Sequence, residues 1–295
     1  MFTIILKTLR VKDWIKNILI FFPIFFSGNL LNIDQLEIVF KTVLGFSLVA
    51  SSIYIINDLF DKENDKNHDF KKFRPIAAGL ISKNFSIFIL IFTLLFGLTI
   101  QFYISLTSFY ILLFYFILNF LYSSVLKHIP IVDFITVSLG FVLRVIIGGV
   151  VVNIEISNWI ILMALLLSIF ITACKRRDDV YQFEKKNKLN RSVVVHYTLE
   201  FMDKIISISS TLLIMSYMLF ITSEDVQSRY NFYYLVITFI LVFMGVLRYN
   251  QITYVFKKSG SPVRLLFSDT FLQICVITWV LLFLLIIYGN KTLLL

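Results

Sequence analysis

The stretch "IYIINDLFDKENDKNHDFKKFRPIAAG" at residues 53–79 runs apolar up to Asn57. It then places Asp58, Asp61, Glu63, Asp65 and Asp69 in quick succession, followed by Lys71, Lys72 and Arg74. On an α-helix turning about 100° per residue, Asp58, Asp61, Asp65 and Asp69 stand at roughly 0°, 300°, 340° and 20°. They form a single stripe, with Asn57 at its border. Charges that only solvate a helix end have no reason to share one sign and one face. Like charges at that spacing destabilise a helix by about a few tenths of a kcal/mol per pair. The stripe makes sense where cations bind. Hard divalent ions such as Mg²⁺ take one or two carboxylates and complete their shells with water and phosphate oxygens, so Asp58, Asp61 and Asp65 are the predicted metal ligands. His68, Lys71, Lys72 and Arg74 follow closely and could touch phosphate oxygens from the side away from the metal. Pro75 and Gly79 break the helix and let the segment fold back over the membrane face. A diphosphate leaving group suits this chemistry, because a metal clamp offsets the charge that develops when its bond to carbon breaks.

Most of the chain is as apolar as the helix that ends in this stripe. Of 295 residues, 59% are hydrophobic and 15% charged, with 32 Phe against 10 Gly and 4 Pro. That composition excludes a soluble globular domain and predicts an all-α polytopic membrane protein. Runs long enough to cross the bilayer number nine, at about 14–31, 38–60, 84–105, 108–126, 131–152, 157–175, 204–222, 230–248 and 267–289. A barrel would show short alternating segments instead. The first run carries Lys16, Asn17 and Pro23, which should bend it; "FSGNL" makes a poor cleavage site, so no removed signal is expected. Of the 27 Lys and Arg, all but Lys41, Arg229, Lys291 and the intramembrane Arg144 fall on one side of this arrangement. The bias predicts a cytoplasmic N-terminus and an outer C-terminus. It also accounts for the net charge of +9 through orientation and anionic headgroups, so no nucleic-acid partner is expected. One membrane domain over residues 1–295 is expected, with room for a homo-oligomer. Cys174 and Cys275 read as free thiols in apolar surroundings.

Other charges stand out against this background. "FITACKRRDDVYQFEKK" (170–186) closes the sixth run. Topology explains Lys175, Arg176 and Arg177 but not the acidic pair, so Asp178 or Asp179 could hold a second metal while the cations bind phosphate. "YSSVLKHIPIVDF" (122–134) groups Tyr122, Lys127 and Asp133 around a short connection, either as a paired helix joint or as part of a site. Arg144 sits midway along the fifth run, where an unpaired cation costs several kcal/mol, so it must face a polar cavity or an anion. Gly140, Gly148 and Gly149 beside it allow close helix approach. "RVKDWIKN" (10–17) reads as an interfacial lead-in whose Lys12 and Lys16 could reach a lipid phosphate. His128 and His196 have no ligand partners at useful spacing.

"NDLFDKEND" fits the N-D-x-x-D-x-x-x-D motif of the UbiA-type intramembrane prenyltransferase superfamily, which the chain resembles. "LRVKDWIKN", "HDFKKFRPIAAG", "YSSVLKHIPIVDF", "KRRDD" and "SPVRLLFSDTFL" resemble, more specifically, the branch containing decaprenyl-phosphate phosphoribosyltransferase, so the similarity extends over nearly the whole chain. The resemblance implies nine transmembrane helices around a central cavity. It implies that Asn57, Asp58, Asp61 and Asp65 bind Mg²⁺ and diphosphate, that Lys71 and Arg74 act on phosphate, and that Tyr122 and Lys127 lie beside the acceptor. Aromatic prenyltransferases of the superfamily carry a second D-x-x-x-D motif on the sixth helix. Here Lys175 to Asp179 stand in its place, with Asp179 where the phosphoribosyl branch usually has Glu, which speaks against a prenyl diphosphate donor.

The expected catalytic residues are therefore Asp58, Asp61, Lys127 and Asp179. The expected substrate-binding residues are Asn57, His68, Lys71, Arg74, Tyr122, Arg144, Lys175, Arg176, Lys12 and Lys16. The implied reaction is Mg²⁺-dependent transfer of 5-phosphoribosyl from phosphoribosyl diphosphate to a polyprenyl phosphate, releasing pyrophosphate, for cell-envelope glycolipid precursors. It would take place at the bacterial cytoplasmic membrane, on the cytoplasmic face. The alternative enzyme is an aromatic prenyltransferase of quinone or haem synthesis, using the same metal stripe. A transporter would call for helices broken at mid-membrane and a half-to-half repeat, and neither is visible.

Overall fold

The computed structural model describes residues 1–66, 71–186, 192–228, 230 and 232–292, and contains no strand among them. The helices are α1 (Phe2–Thr8), a 3₁₀ segment (Val11–Phe21), α2 (Phe22–Phe26), α3 (Ile33–Phe60), α4 (Lys62–Lys66), α5 (Lys83–Ile104), α6 (Leu106–Ser124) and α7 (Val132–Val150). They continue with α8 (Asn158–Lys186), α9 (Leu199–Thr222), α10 (Glu224–Gln227), α11 (Phe232–Tyr254), α12 (Pro262–Ser268) and α13 (Thr270–Thr292). Among the described residues 8 helices (α3, α5, α6, α7, α8, α9, α11 and α13) are long and apolar enough to cross a membrane. The chain is an integral membrane protein, and these eight match the predicted second to ninth runs.

The predicted first run is not one α-helix. Val11–Phe21 winds as 3₁₀ and only Phe22–Phe26 is α-helical. Pro23 has no N–H to give Leu19, and the Phe22 N–H closes the tighter 3₁₀ bond onto the Leu19 carbonyl instead. Polar anchors favour the tighter winding too, since Asn17 donates to Ser47 Oγ at 2.7 Å and Trp14 to Ser51 Oγ at 3.0 Å.

The chain divides into two compact units, Met1–Ile156 and Ser157–Leu295. In the first, α3 packs along α5 and also meets α6 and the 3₁₀ segment, which in turn lies against α7. The α3–α5 crossing is close because Gly97 faces Gly45: a Cβ on Gly97 would lie 2.6 Å from the Gly45 carbonyl oxygen. At the contact with the 3₁₀ segment, a Cβ on Gly148 would lie 2.1 Å from the Ile20 carbonyl oxygen, so only glycine fits. Ile20, Ile24, Phe46, Val49, Ile53, Leu112, Tyr115 and Ile147 form the core between these elements. The exposed face of α5 carries Phe88, Phe92 and Phe96, stacked at one-turn intervals. Such a stripe belongs against lipid, not water.

In the second unit α8 packs on α9, α9 on α11, and α11 on α13. Helix α8 runs for 29 residues, straight through the charged stretch that the sequence reading made a loop beyond residue 175. An Arg176–Asp179 pair at 2.8 Å, three residues apart, supports the extra turns. Helix α3 is similarly overlong. Its 28 residues reach about 42 Å, more than a hydrocarbon thickness of about 30 Å requires.

Candidate functional site

The last turn of α3 continues into α4 with little interruption. The Asp61 N–H bonds to the Asn57 carbonyl at 2.9 Å and the Asp65 N–H to the Asp61 carbonyl at 2.8 Å. These i to i−4 bonds keep the helical spacing, so the predicted stripe survives the change of element. Asp58 and Asp65 are almost fully buried, at 3% and 2% exposure, where an uncompensated carboxylate would cost several kcal/mol. Each is compensated. Arg10 and Arg74 both contact Asp58 Oδ1, the latter at 3.0 Å. Arg74 also lies 2.5 Å from Asp65 Oδ2, and Lys71 3.9 Å from Asp65 Oδ1. Because the same Arg74 nitrogen bonds to both, the Asp58 and Asp65 oxygens are at most 5.5 Å apart. Asp61 pairs with Lys127 Nζ at 2.6 Å, from the short 3₁₀ turn Leu126–His128 after α6.

Arg74 is aimed by its own turn. Its N–H bonds back to the Lys71 carbonyl, the Ala78 N–H bonds to the Arg74 carbonyl, and Gly79 takes φ 71°. Ile76 and Ile81 then anchor the segment on Ile55 and Ile89. The structure therefore brings together the predicted site residues Asp58, Asp61, Asp65, Lys71, Arg74 and Lys127. Asn57 and Tyr122 are half-buried on α3 and α6. His68 and Asp69 lie outside the described residues.

Arg10 is the member that sequence reasoning missed. Lys12, named in its place, is exposed, and Lys16 bonds Asp13 at 2.7 Å while facing the Tyr54 ring at 5.8 Å. The signal was only the position of Arg10 inside "LRVKDWIKN"; no periodicity connects it to a carboxylate 48 residues away.

Arg144 is buried in α7, and of the polar cavity or anion expected for it, the structure supplies polar partners. Nε donates to Asn17 Oδ1 at 2.8 Å, Nη1 to the Gly140 carbonyl at 2.6 Å, and Nη2 to the Tyr115 hydroxyl at 3.0 Å. The rings of Phe46, Tyr115 and Phe141 surround its guanidinium at 4.7, 5.1 and 5.3 Å. The structure does not bring it to the carboxylate stripe.

In the second unit, Lys175 is half-buried and Arg176 is buried against Asp179. Arg177 binds Asp203, reaches the Thr253 carbonyl at 3.2 Å and stacks on Tyr254 at 5.0 Å. Ser259 donates to the Cys174 carbonyl at 2.8 Å. Farther on, Arg248 pairs with Asp269 at 2.8 Å, and Asp269 accepts the Leu272 N–H at 3.0 Å. The Arg248 guanidinium holds the Asp269 carboxyl below its usual range. Cys174 and Cys275 are free and buried, as predicted.

A donor set of three aspartates supplies the hard oxygens that Mg²⁺ takes. No group of three His, Cys, Asp or Glu side chains converges among the described residues, and each of these aspartates is paired with a cation. The donor chemistry of Asp58 and Asp65, with oxygens at most 5.5 Å apart, is that of a site for a hard divalent ion.

Together these features define a helical integral membrane protein with buried carboxylates matched by cations at the end of one spanning helix. The chain belongs to the UbiA prenyltransferase family, whose sequence pattern matches residues 20–259, across the junction of the two units. It is 28% identical to the decaprenyl-phosphate phosphoribosyltransferase of Mycolicibacterium smegmatis, over 94% of this chain and 90% of that protein. With the protein of the same description from Corynebacterium glutamicum the identity is 29%, over 96% and 86%. A UbiA homolog from Archaeoglobus fulgidus, solved bound to GPP and Mg²⁺, shares the fold with a TM-score of 0.71 at 21% identity, covering 96% of this chain and 98% of that one. A structure concerning digeranylgeranylglyceryl phosphate synthase shares it at 0.67 and 20%, covering 98% and 99%.

Proposed function

We propose that the protein transfers the 5-phosphoribosyl group of phosphoribosyl diphosphate to a polyprenyl phosphate, with pyrophosphate as the leaving group. The observation that carries this is the alternation of carboxylate and cation at the end of α3: Asp58, Asp61 and Asp65 against Arg74, Lys71 and Lys127. The relatives described as decaprenyl-phosphate phosphoribosyltransferases support the donor and acceptor, at 28–29% identity over most of both chains.

Asp58, Asp61 and Asp65 would hold Mg²⁺, which when bound supplies positive charge to the departing pyrophosphate. Arg74 and Lys71, released from carboxylate, bind phosphate oxygens, and Asn57 borders the same stripe. In the second unit Lys175 and Arg176 are proposed to bind phosphate, with Asp179 orienting Arg176. Lys127 holds Asp61 in place and, with Tyr122, receives the acceptor phosphate; Lys12 and Lys16 flank it at the membrane surface. A phosphate oxygen of the lipid forms the new bond to ribose C1 as the C1–oxygen bond to pyrophosphate breaks. The acceptor is already anionic, so no strong base is needed. Positioning and charge stabilisation supply the rate.

The protein is placed in a bacterial cytoplasmic membrane with this site on the cytoplasmic face, and the 3₁₀ segment with α2 makes the ninth crossing. Its 11 residues of 3₁₀ and 5 of α-helix reach about 30 Å at rises of about 2.0 and 1.5 Å.

Incubation of the purified protein with Mg²⁺, labelled phosphoribosyl diphosphate and a polyprenyl phosphate should yield labelled lipid, abolished by chelator or by Asp61→Ala. The solved fold neighbour bound to GPP and Mg²⁺ keeps an aromatic prenyltransferase as the second reading. Prenyl transfer to an aromatic acid, without any labelled phosphoribosyl lipid, would establish that one instead.

A further inference from the structure

Arg10 is placed with more care than neutralising Asp58 requires. Its backbone sits in the left-handed region, at φ 50° and ψ 47°, which a residue with a side chain occupies only where its surroundings hold it. The holding contacts converge on one hydroxyl of α3: Ser51 Oγ shares its proton between the Leu9 and Ser47 carbonyls, both at 2.8 Å, and accepts from Trp14 at 3.0 Å. Both flanks of Arg10 are thereby fastened. The guanidinium then lies over Tyr54, 5.0 Å from the ring centre, one turn before Asp58.

The charge balance points the same way. Asp61 and Lys127 match one to one. Asp58 and Asp65, in contrast, face three cations, Arg10, Lys71 and Arg74. Arg10 and Arg74 both bear on the same Oδ1 of Asp58, so one carboxylate oxygen receives two guanidinium groups. Such crowding of positive charge is relieved where a further anion joins it. A planar guanidinium fork matches phosphate oxygens bidentately.

We infer that Arg10 is a diphosphate-binding residue: it rests on Asp58 in the metal-free protein and turns to the diphosphate when a divalent cation takes Asp58. This rests on the metal–diphosphate reading above and adds the N-terminal arm to the donor's ligands. Arg10 also competes with the metal for Asp58, so its removal has opposite effects on two binding steps.

The test uses full-length protein in detergent, with Mn²⁺ binding read by electron paramagnetic resonance and pyrophosphate binding by calorimetry at saturating Mn²⁺. Arg10→Gln should bind Mn²⁺ about tenfold more tightly and pyrophosphate about tenfold more weakly, each equivalent to one charge-assisted hydrogen bond. Arg10→Lys keeps the charge but loses the fork, so Mn²⁺ affinity should stay near wild type while pyrophosphate affinity falls. A purely structural arginine would lower both affinities together, and that result, or no change in either, overturns the inference while wild-type binding leaves the functional reading intact. Wild type that binds neither Mn²⁺ nor pyrophosphate overturns both. Should Arg10→Gln fail to fold, Arg10→Lys decides alone, and wild-type pyrophosphate affinity in it counts against the inference.

Discussion

Replacing Arg144 should damage the fold before it damages ligand binding. Its guanidinium makes three hydrogen bonds, to Asn17, Gly140 and Tyr115, at 2.6–3.0 Å. Each is a charge-assisted bond of about 1.5–3 kcal/mol, though their sum is far from additive. Arg144→Met preserves much of the volume but leaves Asn17 Oδ1 buried without its donor, at about 1–3 kcal/mol. It also removes the cation from between the rings of Phe46, Tyr115 and Phe141. Breaking a buried polar network of this kind costs about 3–5 kcal/mol in all. At about 2–4 °C per kcal/mol for a chain of this size class, the melting temperature should fall by about 10 °C. Trp14, bonded to Ser51 in the neighbouring turn, gives a fluorescence signal for unfolding in detergent. Below the lowered midpoint, the variant should bind Mn²⁺ and pyrophosphate as wild type does. An Arg144→Met protein that melts like wild type but has lost pyrophosphate binding would refute this reasoning and return Arg144 to the substrate.

Gly148→Ala should cost about 1–3 kcal/mol through overpacking, because the new methyl meets the Ile20 carbonyl at 2.1 Å; a Tm equal to wild type would show that the 3₁₀ segment is not seated there. Asp61→Asn and Lys127→Met should each abolish most transfer activity, and their effects should combine with a coupling of about 0.5–3 kcal/mol because the two side chains meet at 2.6 Å; simple additivity in the double-mutant cycle would separate them. Asp269→Ala should lose about 0.5–2 kcal/mol as the cap of α13 disappears, whereas Asp269→Asn keeps the bond to Leu272 and loses only the pairing with Arg248. Since Arg248 depresses the Asp269 carboxyl, that pairing contributes above the unfolded pKa of about 3.9 and is lost as pH falls through the lower folded value. Wild-type and Asp269→Asn melting curves should therefore differ at neutral pH and converge in acid; a constant gap would exclude the ion pair as its source.

What the sequence made legible follows from how local each signal is. Eight of the nine runs are visible because a spanning helix must satisfy its backbone within itself, which demands a long apolar segment and nothing else. The carboxylate stripe is legible for a similar reason, since Asp58, Asp61 and Asp65 keep the helical step across the junction of α3 and α4. The 3₁₀ winding of Val11–Phe21 was not, because apolar content is the same in either helix and the cause lies partly in Ser47 and Ser51 on another element. The helical run beyond Lys175 was hidden by its charges, which read as loop until the Arg176–Asp179 pairing is seen.

Long-range partners were the least accessible. Arg144 announced itself as a buried cation, and the argument that it must meet something polar was sound. The sequence left that partner open between a polar cavity and an anion, because Asn17 and Tyr115, 127 and 29 residues away, carry no mark of proximity. Arg10 is the mirror case. It looked like one more basic residue at a membrane edge, where positive charge is expected for orientation alone, and only the fold brings it onto Asp58. A cation near the headgroups has two explanations of equal sequence content, orientation and chemistry. Burial separates them: Asp58 is almost fully enclosed, and a charge does not leave water for orientation's sake. The same criterion divides Lys12, exposed on the lead-in segment, from Arg10 two residues before it, and makes Arg10 the more informative of the two to mutate first.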